Sequence, residues 1–92
     1  MSAASKRYLG RVADLGCVVC GGPAAIHHVK PEKRRPEDER HVWRDDRYVL
    51  PLCPRHHQDH DWGISLHRGE VEWERRYGSQ ADLLRVVAVR LG

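Results

Sequence analysis

Cys53-Pro54-Arg55-His56-His57 decides how the rest of this 92-residue chain is read. Cys53 and His56 have the spacing of half a zinc site. Cys17-Val18-Val19-Cys20 supplies the other half, separated from it by 32 residues. Zinc takes four such sulfur and nitrogen donors tetrahedrally, and a closed Cys3His set leaves no open position for chemistry. The expectation is a structural zinc that ties the two halves of the chain together. His57 lies one residue beyond the half-site, where it is free to serve a second metal. The pair His27-His28 stands between the two halves, so the zinc would hold it in register with His57.

A chain of this length is near the lower limit at which burial alone gives comfortable stability, so a metal staple is physically welcome. Apolar residues make up 40%, with no Phe and three Trp, which implies a thin core. Charged residues reach 32%, and the net charge of +3 is compatible with a polyanionic partner without demanding one. Three cysteines cannot all pair in disulfides. Two of them form CxxC, which in a chain without a secretory signal points to metal or redox chemistry in a reducing compartment. No apolar run approaches the roughly 20 residues that cross a bilayer. The first sixteen residues alternate charge with short apolar pairs, unlike a signal peptide. The expectation is a single domain over residues 1–92, cytoplasmic and with no membrane partner.

Along the chain, Ser5 to Leu15 reads as an amphipathic helix capped by Ser5, with Tyr8, Val12 and Leu15 on one face and Gly16 as its stop. Lys6, Arg7 and Arg11 fall off that face, as on a solvated surface. Cys17 to Pro23 is a knuckle in which Gly21-Gly22 lets the backbone turn. Ala24 to Val29 reads as a strand ended by Pro31. Lys30 to Arg47 has seven basic and six acidic residues and no apolar period, so it reads as a loop. Tyr48 to Leu52 is a second strand, in which Pro51 argues for an edge position. A helix begins at Pro54 and carries His56, His57 and potentially His60, until Gly63 interrupts it. Glu70 to Tyr77 is helical, and Gly78 stops it. Ser79 and Asp82 then cap a last helix whose Leu83, Leu84, Val87, Ala88 and Leu91 form an apolar stripe, read as core or as a dimer face.

Seven histidines in 92 residues is a high count. His41 reads as ordinary surface. Five others, His27, His28, His57, His60 and His67, are not needed by the zinc set. Hydrolysis of a phosphodiester needs a base to deprotonate water and a cation to neutralise the developing charge, and clustered histidines near a divalent metal can supply both. The concentrated basic patch, Lys30, Lys33, Arg34 and Arg35, supplies candidate phosphate contacts, which would make binding salt-sensitive.

These residues also resemble a family. His27-His28-Val29-Lys30-Pro31 resembles the (D/H)-H-x-x-P element of HNH nucleases, and Leu52-Cys53-Pro54-Arg55-His56-His57 resembles their L-C-x-x-(C/H)-H element. Leu66-His67-Arg68-Gly69, followed by Trp73, Tyr77-Gly78 and Asp82-Leu83-Leu84, is similar to the tail of the Ref-type nucleases and related small phage proteins. The resemblance runs from about Tyr8 to Leu84. It implies an α+β fold: a small zinc-stapled ββα-metal finger with flanking N- and C-terminal helices. It further implies a DNA endonuclease in which His28 is the general base and His27, His57 and His67 hold a catalytic divalent ion, Mg, Mn, Ni or Zn. A phage or prophage setting in a bacterial host, and cooperation with a RecA-type recombinase filament, belong to the same resemblance.

Two departures stand out. The middle Asn of the HNH pattern falls at Tyr48, so its loop-holding hydrogen bonds must come from elsewhere, Asp45 or Asp46 being the nearest candidates. His57 and His67 are ten residues apart, so Gln58 to Ser65 reads as an insertion and leaves His60 and Asp61 as rival ligands. Neighbouring strand residues also point to opposite faces, so His27 and His28 share one site only at a distorted strand or at its edge. Two other readings stay open: a non-catalytic zinc module that docks DNA or protein, and a redox protein that uses Cys17 and Cys20.

Overall fold

Ser2 starts the first helix by accepting the backbone N–H of Ser5 on its Oγ at 3.0 Å. That satisfies one of the donors a helix start leaves unpaired. In the computed structural model, which describes residues 2–58 and 65–92, helix α1 is Ala3–Asp14. It therefore begins ahead of Ser5, the cap expected from the sequence. Val12 is fully buried, and Tyr8 and Leu15 pack partly buried on the same side. Gly16 ends the helix at φ 81°, where a Cβ would sit 2.7 Å from the carbonyl oxygen of Gly21. Only glycine lets the knuckle fold back this closely, with Cys17 N–H donating to Gly22 O at 2.8 Å.

The knuckle leads into strand β1 (Ala25–His28), which pairs antiparallel with β2 (Val49–Leu52) in the register Ala25 with Leu52, Ile26 with Pro51, His27 with Leu50 and His28 with Val49. Each strand of a two-stranded sheet is an edge, so Pro51 fits without breaking a ladder. Its carbonyl accepts the Val18 N–H at 2.9 Å and fastens the knuckle to β2. Between the strands, Pro31–Lys33 form a single 3₁₀ turn in what reads from sequence as plain loop.

Helix α2 is one turn, Pro54–His57, with Pro54 at its first position, where a missing N–H costs nothing. The chain returns to it from Ser65: Leu66 N–H donates to His56 O at 3.0 Å and His67 N–H to His57 O at 2.9 Å. Helices α3 (Glu70–Tyr77) and α4 (Gln80–Leu91) follow, divided by Gly78 at φ 110°. Ser79 caps α4 by accepting the Asp82 N–H at 3.0 Å.

Every residue of β2 is buried, with α1 and α4 packed against it. Trp73, Leu50, Leu52, Val12, Val29 and Val49 are the largest apolar side chains wholly out of solvent there, each worth about 1.5–3 kcal/mol of burial. Leu83, Leu84 and Val87 of α4 join this core, which accounts for the apolar stripe. The architecture is α+β, a two-stranded antiparallel sheet with helices packed on it. No described helix is long and apolar enough to cross a membrane.

Candidate metal centres

Two groups of donors converge, each of which includes one residue of α2. The first is Cys17, Cys20, Cys53 and His56. The Cys20 and Cys53 sulfurs are 3.7 Å apart, and His56 Nδ1 lies 3.2 Å from Cys53 Sγ and 3.8 Å from Cys17 Sγ. Donors arranged tetrahedrally about zinc at normal bond lengths lie ~3.8 Å apart for two sulfurs and ~3.6 Å for sulfur and nitrogen. The cluster therefore has the dimensions to hold a metal ion such as zinc. Burial works against ionising Cys17, yet its thiol is lowered, because backbone contacts at Cys53, Cys20 and Val19 stabilise the thiolate. Burial also keeps His56 neutral, and the edge of its ring meets Tyr77 at 5.3 Å between centroids. Cys53 goes the other way, raised chiefly by burial, and a bound cation would favour its thiolate, since thiolate and neutral imidazole are the forms that bind metal.

The second group is His27, His57 and His67, whose ligand atoms all lie within 4.8 Å of one another. His27 Nδ1 and His57 Nε2 are 3.2 Å apart, close to the ~3.3 Å expected of two nitrogens sharing a tetrahedral ion. The imidazoles of His57 and His67 are stacked edge to face at 4.3 Å. Burial, together with repulsion from His27 and His67, pushes His57 down to about 4. Burial likewise lowers His27. Both are neutral at pH 7 and present lone pairs.

A buried chain of hydrogen bonds decides which lone pair His27 presents. Glu70 is held as a carboxylate, burial notwithstanding, by Gln80 and Lys30. A carboxylate only accepts, so Gln80 turns its Nε2 to Glu70 Oε2 (3.1 Å) and its Oε1 to His27 Nε2 (3.0 Å). That oxygen requires His27 to carry its proton on Nε2, which frees Nδ1 on the side of His57 and His67. Such outer partners commonly orient metal-binding histidines. Gln80 is fully buried and comes from the start of α4, 53 residues from His27, and nothing in the sequence marks it.

His28, next to His27 on β1, bonds through Nε2 to Asp46 Oδ1 at 2.7 Å. The Asp46 carboxylate accepts a hydrogen bond from Nε2–H, which leaves Nδ1 as the accepting nitrogen. Despite the alternation of the strand, both histidines line one open cleft of about 660 Å³ with His57, His67, Lys30, Trp43, Arg44, Arg68 and Glu70. The strand ends at His28, so its side chain reaches the cleft from the edge. The two aspartates before Arg47 both make contacts in this loop. The backbone carbonyl of Asp45 accepts the Tyr48 N–H, and its carboxylate binds Arg47, while Asp46 orients His28.

A family model described as a protein of unknown function, DUF968, matches residues 1–90. The chain belongs to that family. No curated protein and no solved structure matches it.

Within this DUF968 chain the basic stretch differs from its sequence reading. Arg34, expected to contact phosphate, is 3% exposed. Its Nε donates to Val29 O, Nη1 to Glu39 O, and Nη2 to Val42 O and Trp43 O, all at 2.8–3.0 Å. It is the post around which residues 35–43 wrap, and its charge is spent on backbone carbonyls. Lys30 pairs with Glu70, Lys33 with Glu74 and Glu70, and Arg35 with Asp38. Of the four, only Lys30 also borders the cleft. Arg44 and Arg68 line it as well, and neither is in an ion pair among the described residues. Both sit beside residues the sequence does single out or carry, Arg68 after His67 and Arg44 two before Asp46. The rival ligands His60 and Asp61, and Gly63, lie outside the described residues.

Proposed function

We propose that this protein is a metal-dependent DNA endonuclease, in which β1, β2 and α2 form a ββα-metal finger and zinc fills the Cys3His cluster as a structural ion. The observation that carries the reading is the shared cleft: a histidine oriented by a carboxylate, His28 on Asp46 at 2.7 Å, borders the same cavity as the three imidazoles of His27, His57 and His67. A base and a cation site at one surface are what hydrolysis of a phosphodiester requires.

His27 Nδ1, His57 and His67 would hold a divalent ion, which supplies positive charge for the phosphorane and the leaving oxygen. His28 Nδ1 takes a proton from water, and the water oxygen attacks phosphorus. The P–O3′ bond breaks, and the 3′ oxygen takes a proton from solvent. Asp46 steadies the positive charge on His28 and holds its ring in the accepting tautomer, as carboxylates do for catalytic histidines elsewhere. Arg44, Arg68 and Lys30 offer charge to the flanking phosphates.

The test is nicking of supercoiled plasmid with Mg, Mn, Ni or Zn added to zinc-loaded wild type and His28→Ala. Wild type should nick, and His28→Ala should be slower by roughly 10²- to 10⁴-fold. Equal rates in the two would remove His28 as the base. An intact plasmid with every ion would favour a non-catalytic zinc module that docks DNA or protein.

A further inference from the structure

Trp43 is 66% exposed and its neighbour Val42 52%, while Trp73 is completely buried. A large flat apolar ring in water loses the stabilisation that burial gives, so its position calls for a reason. The ring is on the lining of the histidine cleft, together with His28, Arg44 and Arg68. Its backbone is also held. Arg34 Nη2 donates to the carbonyls of both Val42 (2.8 Å) and Trp43 (3.0 Å), and Arg34 itself is anchored on Val29 O, one residue beyond β1. The guanidinium lies over the ring of Tyr48, 4.8 Å from its centroid, and the Tyr48 hydroxyl accepts the Glu39 N–H at 3.0 Å. A buried arginine and a buried tyrosine thus fix the segment that presents an exposed tryptophan at the rim of a cationic cleft.

We propose that Trp43 is a stacking platform for an unpaired nucleobase, so that the substrate of the cleft is a single-stranded or locally opened nucleic acid. This rests on the nuclease reading above and names its substrate class. Aromatic rings beside a basic groove bind single strands without regard to sequence, because every base offers a flat face and the groove tracks the phosphates. In an intact duplex both faces of each base are already stacked on neighbours, and a ring at the rim has nothing to cover. Arg44 and Arg68 supply the phosphate contacts from the lining of the same cleft, and their charge selects a polyanion over an apolar protein surface.

The test is fluorescence anisotropy of labelled oligonucleotides with the full zinc-loaded chain and no other divalent ion, using a single strand of DNA, the same strand as RNA, and the DNA duplex. Wild type should prefer single strands. Trp43→Ala should weaken single-strand binding by about 10-fold, within the roughly 5- to 150-fold that one stacked base represents, and leave duplex binding unchanged. Trp43→Phe should lose less than about 3-fold, and Trp43→Leu, equally apolar but without a flat ring, should resemble Trp43→Ala. The two nucleic-acid arms show whether DNA or RNA carries the base.

Single-strand binding that ignores Trp43→Ala, or a Leu variant as good as Phe, overturns the stacking role while plasmid nicking by wild type leaves the nuclease reading in place. A change of oligomeric state on Trp43→Ala assigns the ring to a protein contact and also overturns it. A wild type that binds no oligonucleotide and nicks no plasmid removes both readings together.

Discussion

His56 turns Nδ1 toward Cys53 and Cys17, at 3.2 and 3.8 Å, whereas His57 turns Nε2 toward His27 Nδ1 at 3.2 Å. The two stand side by side on a single helical turn, where successive residues project about 100° apart. The Cys3His group joins the knuckle to α2 and completes a tetrahedral donor set. The histidine group offers three donors, all from residues that line the cleft. Structural sites are closed and reactive ones keep a position free, so on the proposed reading the same short helix would serve both kinds.

The difference should be largest when each group is broken in turn. Cys53→Ala should lose zinc and with it the cooperative fold, since in so small a domain metal binding and folding are one equilibrium. Loss of helical circular dichroism together with loss of zinc would show this. A Cys53→Ala protein that stays folded and zinc-replete would mean the core suffices. His57→Ala should keep both the zinc and the fold.

Arg34→Ala comes next, because it strands four backbone carbonyls and removes the post behind Trp43. A loss of about 2–4 kcal/mol in urea unfolding is expected, with zinc still bound. Salt-sensitive DNA binding that weakens while stability is unchanged would instead return Arg34 to the surface role read from the sequence. Asp46→Asn acts on the chemistry alone: it removes the carboxylate that orients His28, and nicking should fall on the order of 10²-fold at unchanged metal content. Gln80→Leu removes the acceptor that sets the His27 tautomer. Competition with a metal chelator should show the histidine group weakened by roughly 10- to 100-fold, with the Cys3His group unaffected.

The smallest effect is one of pH. Folded His57 titrates at about 4, against 6.5 for the ordinary side chain. Between those values the unfolded chain binds the extra proton, so stability is full above pH 6.5 and declines as pH falls toward 4. With one equivalent of zinc present, wild type should lose more stability from pH 7 to 5.5 than His57→Gln does. Equal losses in the two would show that His57 is not held neutral by the fold.

Much of this is legible in the sequence itself. The CxxC and CxxH halves announce their donors by spacing, and Ser79 and Gly78 announce the last helix by local chemistry. His67 was harder, since ten residues separate it from His57. It is brought in by two backbone hydrogen bonds, from Leu66 and His67 back to His56 and His57, which leave no mark on residue type. The burial of Arg34 is hidden from the sequence for a physical reason. A run of Lys33-Arg34-Arg35 looks alike whether the cations face water or whether a loop folds round the middle one. Gln80 leaves no mark in the sequence, because its role exists only once the start of α4 meets His27.

The claim at the centre is that His56 and His57 serve different ions. Native mass spectrometry of the folded chain titrated with Zn or Ni tests it directly, by counting bound ions in wild type and in His57→Ala. Two ions per chain in wild type and one in a still-folded His57→Ala are expected. A wild type that never takes up more than one, or a His57→Ala protein that loses both, would contradict it.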